Sequence, residues 1–173
     1  MPPIDYGPTT HHALVQAALA DFNLHERYLL EANLSERCIC ARFAMYLEKQ
    51  LPAYQAEGYT VDVEYNRGMD GHDRSPKRLN DDLIVVDLII HKRGYDNEMG
   101  YQNLICMEMK KSTNRDGCDA DEARLGKMTD PDYGFNYKTG FMIVADMKQS
   151  ALTIKSIFRN GVHIPAVSTE CAK

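Results

Sequence analysis

No apolar run in the 173 residues approaches the ~20 that a membrane-spanning helix requires. The opening residues Met1-Pro2-Pro3-Ile4-Asp5 carry neither the basic stretch nor the apolar core of a secretory signal. The five cysteines, Cys38, Cys40, Cys106, Cys118 and Cys171, include no C-x-x-C pair, which argues against a zinc ribbon or a disulfide framework. The expectation from these absences is a cytoplasmic protein without membrane contact. A Gly-rich phosphate loop is missing as well, which weakens a reading as a hydrolase of small phosphate esters. There is no internal repeat and no low-complexity stretch. Positive charge is also short. With a net charge of −5, the chain lacks the Lys and Arg excess by which a protein coats nucleic acid non-specifically. A nuclease remains compatible with that balance, because an acidic centre with local basic rims can hold DNA through a metal and a few cations.

What is present fits one domain spanning 1–173, since 44% hydrophobic and 26% charged residues are ordinary for a globular chain of this length. Residues 1–10 contain three prolines and read as an N-terminal arm. Thr9 or Thr10 is placed to cap a helix from His11 to about Asp21. Asn33-Leu34-Ser35-Glu36 fits a capping box, with Asn33 as N-cap and Glu36 at the third helical position. That helix runs through Ile39, Phe43, Leu47 and Leu51 and is stopped by Pro52. Glu36 lies at the edge of its apolar stripe, either as a capping carboxylate or as a group aimed across the core.

Tyr59 to Tyr65 alternates strictly and reads as a strand with one buried face. The polar stretch 68–81 that follows reads as a long connection. With Arg67, Arg74, Lys77 and Arg78 it is the most basic loop of the chain, either solvated or a flap touching phosphates. A helix over Asp119–Met128, a core strand over Tyr137–Met147 and a strand over Ser150–Arg159 complete the order, and 160–173 reads as an irregular tail. The expected architecture is α/β (α+β): a mixed central sheet of about five strands flanked by helices.

The chemistry concentrates in two apolar runs. Asp82 to His91 carries Asp87 in its middle, and Asn103 to Lys110 ends in Glu108-Met109-Lys110. An antiparallel hairpin that pairs the ends of the two runs also sets Asp87 opposite Glu108. Opposed residues have Cβ atoms about 4.5–5.5 Å apart, and two carboxylates that close repel unless a cation stands between them. Oxygen ligands with an open coordination sphere suit Mg²⁺, with Mn²⁺ as a substitute. Residues two apart on a strand share a face, so Lys110 looks the same way as Glu108. The backbone carbonyl of Met109 lies between them and is a further candidate ligand. His91 shares strand parity with Asp87, although a strand-end histidine is more often simply hydrogen-bonded.

Asp87, Glu108-x-Lys110 and the upstream helical Glu36 resemble the PD-(D/E)xK nuclease superfamily, which has the restriction-endonuclease-like fold. The resemblance spans roughly residues 30 to 147. Val86 stands where the family's name carries proline, a position that is not a ligand. The resemblance implies Mg²⁺ on Asp87, Glu108 and the Met109 carbonyl, with Lys110 and Glu36 as further catalytic residues. The function it implies is metal-dependent hydrolysis of DNA phosphodiester bonds, with RNA not excluded, in restriction, repair or mobile-element biology. Glu36 and Glu64 are the candidates for a second metal, and Glu64, Arg67 and Lys111 for substrate contacts. Cutting both strands calls for two sites, hence a homodimer or larger complex. The alternative is an inactive nuclease-like domain that binds nucleic acid or a protein partner. Such a domain would pair Asp87 or Glu108 with a basic side chain.

Overall fold

In the computed structural model, which describes residues 7–70, 73–76, 78–79, 82–94, 102–114 and 116–165, apolar spacing sets most of the elements. Helix α1 (Pro8–His25) places Pro8 in its first turn, where the missing N–H has no partner to lose, and buries Leu14, Val15, Ala18, Leu19 and Phe22 along one stripe. Its N-cap is Gly7 rather than Thr9 or Thr10. A short α2 (Arg27–Glu31) follows, and Asn33 ends it instead of starting the next helix. Asn33 sits at φ 53°. Its N–H reaches Leu30 O at 3.0 Å and the Leu34 N–H reaches Leu29 O at 3.1 Å, the paired closing bonds of a Schellman turn.

Helix α3 (Glu36–Lys49) is capped by Ser35, whose hydroxyl accepts from the Cys38 N–H at 3.3 Å. Glu36 is therefore its first residue and not the third. Pro52 opens a further short helix, α4 (Pro52–Ala56), in keeping with proline's suitability for a first turn.

The sheet has six strands in the order β1 (Tyr59–Val63), β6 (Leu88–Lys92), β7 (Asn103–Lys111), β8 (Thr139–Asp146), β9 (Ala151–Arg159) and β10 (Val162–Pro165). It is open, mixed and one strand larger than expected. The extra strand comes from the supposed tail, which turns back through Asn160-Gly161, both at positive φ as a tight hairpin requires. Residues 166–173 lie outside the described residues, as do 1–6 of the arm. The stretch 68–81 is not wholly irregular. It contains the pairs β2 (Arg67–Asp70) with β3 (Asp73–Pro76), and β4 (Arg78–Leu79) with β5 (Asp82–Leu83). The side chains of Arg74 and Lys77 fall outside the described residues.

β1, β6 and β7 form an antiparallel meander. Helix α5 (Cys118–Thr129) then crosses over to bring β8 parallel to β7. α1 and α3 cover one face of the sheet and α5 the other, so strand parity divides the core. Leu88, Ile90, Ile105, Met107 and Met109 pack toward α1 and α3. Ile89, Cys106 and Met142 pack toward Leu125 and Met128 of α5. Gly140 lets α5 lie close, because a Cβ there would meet Thr129 Cγ2 at 3.2 Å and Leu125 Cβ at 3.4 Å. Among the described residues no helix is long and apolar enough to cross a membrane.

The run Asp82–His91 is not one strand. β5 ends at Leu83 and β6 starts at Leu88, with Asp87 in the bend between them. Ile84 and Val86 are buried but Leu83 and Val85 are exposed, so this piece is half-buried and only resembles a two-faced core strand in composition.

Candidate functional site

The hairpin register is the expected one. Leu88 pairs with Met107, Ile89 with Cys106 and Ile90 with Ile105, and that register carried one residue beyond the end of the ladder sets Asp87 opposite Glu108. A bulge after Ile90 shifts His91 onto Asn103, at the end of the strand pair away from the acids. Asp87 explains why the strand begins only after it. Its carboxylate Oδ2 accepts the Met109 N–H at 2.8 Å, doing with a side chain what the ladder would otherwise do with a carbonyl. Its own carbonyl accepts the Glu64 N–H at 3.0 Å, which ties the end of β1 to the same point. In an extended strand the N–H and C=O of a residue lie on one side, so the Met109 carbonyl is on the edge that faces Asp87.

Three further acids gather here. Glu36, half-buried at the start of α3, accepts the Lys111 N–H through Oε1 at 3.1 Å. Glu64 is exposed, at φ 51°, and pairs with Arg37 at 2.7 Å. Glu108 is buried beneath α5. Beside them the Cys40 thiol is buried, and burial and then the negative charges of Asp87, Glu36, Glu108 and Glu64 push its ionisation far up. A cavity of about 540 Å³ opens between α3 and the strand ends, lined by Glu36, Arg37, Cys40, Glu64, Asp87 and Lys111. Glu108 stands behind Asp87 rather than on the cavity wall. A second cavity, about 620 Å³, adjoins it through Lys111 and Asn114 and carries Lys110 and Lys155.

The two central carboxyls are poorly placed to be charged together. Burial raises the Asp87 carboxyl above the usual carboxylate range, and the Met109 N–H offsets this only in part. Burial raises Glu108 well above its range, and the Asp87 charge adds to the effect.

Two residues of α5 answer that strain, and neither was singled out from sequence. Arg124 forms an ion pair with Glu108 and holds Asp121, one turn earlier on the helix, at 3.2 Å. Lys110 Nζ lies 3.0 Å from Asp121 Oδ2, near enough for an ion pair though off the hydrogen-bonding direction. Burial by itself would lower the Lys110 ammonium, but Asp121, Glu36 and Asp87 outweigh it and the net shift is upward, so Lys110 is a firm cation. A signal for Asp121 was available. It stands four residues before Leu125 and seven before Met128, on the inward stripe of α5. As an acid near a helix N-terminus it is also what the macrodipole favours, which masks its inward position.

The remaining candidates are placed as follows. Lys111 turns to the α3 side, its ammonium 3.1 Å from Leu34 O and 3.4 Å from Asn33 O, where it steadies the turn between α2 and α3. Arg67 is exposed at the start of β2. His91 is buried at the far end of β6 with Nε2 2.8 Å from Asp62 Oδ2, the hydrogen-bonded role anticipated for it.

Among the described residues no three His, Cys, Asp or Glu side chains converge closely enough to enclose a metal ion. Asp87, Glu108 and the Met109 carbonyl are all oxygen donors, the kind that Mg²⁺ takes with water completing its shell. No protein-family model, curated protein or solved structure matches the chain.

Proposed function

We propose that the chain is a metal-dependent nuclease of the PD-(D/E)xK kind, hydrolysing DNA phosphodiester bonds. The observation that carries this reading is the meeting, at one strand end, of Asp87 from the bend just before β6 with Glu108 from β7. Glu36 reaches Asp87 from the preceding helix, on the cavity side that faces α3. The run of elements around them also supports it: helix and strand before the pair, then a crossover helix and a parallel strand after it.

When bound, Mg²⁺ would supply a water of lowered pKa and polarise a phosphoryl oxygen. Asp87 and Glu108 would hold the cation, with the Met109 carbonyl facing the same side. Lys110, kept protonated and steadied by Asp121, stands two residues beyond Glu108 on the same face. There it stabilises negative charge developing on the phosphate. Glu36 receives and orients water from the cavity side. Its Oε1 is committed to the Lys111 N–H, which leaves Oε2 for that task.

One observation favours a second reading, a nuclease-like domain that binds nucleic acid or a protein without cutting. Glu108 is already paired with Arg124, as a disarmed site would be. Plasmid cleavage in Mg²⁺ or Mn²⁺ separates the two, comparing wild type with Asp87→Asn and Lys110→Ala. Cleavage by wild type and its loss in both variants is the expected result. Equal cleavage by all three would remove the site assignment. No cleavage by wild type, together with no Mn²⁺ uptake in a titration calorimeter, would overturn the nuclease reading and favour the second.

A further inference from the structure

We propose that Arg124 is a built-in counter-cation for the Asp87–Glu108 pair, one that holds Glu108 until a divalent cation displaces it; this rests on the metal-dependent reading above. The cluster contains three acids, Asp87, Glu108 and Asp121, and two cations, Lys110 and Arg124. The Glu108 side chain is only 4% exposed, and a carboxylate taken that far from water needs a cation at hydrogen-bonding distance. Arg124 provides one. Lys110 does not, because its ammonium is drawn to Asp121.

Three features make Arg124 an exchangeable partner and not merely a structural one. Its side chain is 29% exposed, so it can move off Glu108 toward water without crossing the core. It has a second anchor in Asp121 on its own helix, so giving up Glu108 does not leave the guanidinium unpaired. The Glu108 pairing also sits beside the group a cation would need most, since the Asp87 charge raises the cost of charging Glu108. Arg124 and a divalent cation therefore compete for the same oxygen. The ion pair that looks like evidence of a dead site becomes the resting state of a working one, and its strength sets the metal concentration at which the site fills.

Mn²⁺ alone is the probe, titrated calorimetrically at fixed pH into the full chain as wild type, Arg124→Met, Arg124→Lys and Asp87→Asn. Arg124→Met is expected to bind Mn²⁺ about tenfold tighter than wild type, since each factor of ten corresponds to the worth of one modest charged contact. Arg124→Lys, which keeps the charge but carries it on a compact, more strongly hydrated ammonium, is expected to fall between the two. Without metal, Arg124→Met should melt lower than wild type, and saturating Mn²⁺ should close the gap, which a purely structural arginine would not do. If Arg124→Met is too unstable to purify, Arg124→Lys decides alone, tighter binding supporting the proposal and unchanged binding overturning it. Mn²⁺ binding unchanged or weaker in the Arg124 variants, but abolished in Asp87→Asn, overturns the counter-cation role and leaves the metal site standing. Absence of Mn²⁺ binding in all four proteins overturns both.

Discussion

Asp87 has two separable tasks, and replacing it with Asn or with Ala tells them apart. Its carboxylate closes the buried strand pair by accepting the Met109 N–H at 2.8 Å. Its charge is unwelcome where it lies, because burial raises its pKa. Asp87→Asn keeps an oxygen for the N–H and removes the charge. Asp87→Ala removes both, leaving a buried N–H without an acceptor at a cost of about 1–3 kcal/mol. The Ala variant should therefore be less stable than the Asn variant by about 1–2 kcal/mol, or very roughly 2–8 °C in melting temperature for a chain of this size.

The pH dependence has a definite sign. A carboxyl whose folded-state pKa is raised contributes most to stability at acid pH, below its unfolded value, and that contribution is lost as pH rises through the folded value. Wild type should thus lose ground to Asp87→Asn as pH rises from the acid side of the carboxylate range toward neutrality. Urea unfolding in metal-free buffer, followed by circular dichroism at several pH values, measures both effects. Equal stability of the Ala and Asn variants would refute the closing role of the carboxylate. A wild type that gains on Asp87→Asn with rising pH would refute the burial argument.

Two further outcomes probe the scaffold. Gly140→Ala should destabilise by about 1–3 kcal/mol, because overpacking at a tight contact forces neighbours to shift, here Thr129 Cγ2 at 3.2 Å. Adding Thr129→Ser, which removes that methyl but keeps the hydroxyl bond to Leu125 O at 3.0 Å, should recover part of the loss in thermal melts. Tyr46→Phe removes the hydroxyl that donates to Glu26 Oε1 at 2.6 Å, the main cause of that carboxyl's lowered pKa. Such a contribution is present above the ordinary carboxylate range and lost as pH falls through the folded value. The variant should therefore be less stable than wild type at neutral pH and should converge with it in acid.

Apolar patterning along the chain was enough for these elements: α1, α3, α5, β1 and β9 each bury one stripe or face that the period of their apolar residues states, while β7 and β8 are near-continuous apolar runs buried on both faces. The hairpin register was legible for the same reason: only one alignment pairs the ends of the two apolar runs, and it brings Asp87 to Glu108. Caps and breaks were less legible. Asn33 can stop a helix or start one, and the difference lies in its positive φ and in Leu29 and Leu30 accepting from the turn. Asp82–His91 looked continuous because Leu83 and Val85 are apolar, although both face water. β10 was hidden in a short tail whose pairing with β9 depends on the Asn160-Gly161 turn.

The electrostatic state of the centre was decided by tertiary structure alone. Glu108 and Asp87 are close by strand register, a local matter. Arg124 and Asp121 reach them only because the crossover helix is pressed against β7 and β8, with Gly140 allowing the approach. Charge pairing acts through space at a few ångströms and carries no sequence period. A pair of carboxylates whose meeting could be read from two strands therefore had its counter-charge set by a helix packed across them.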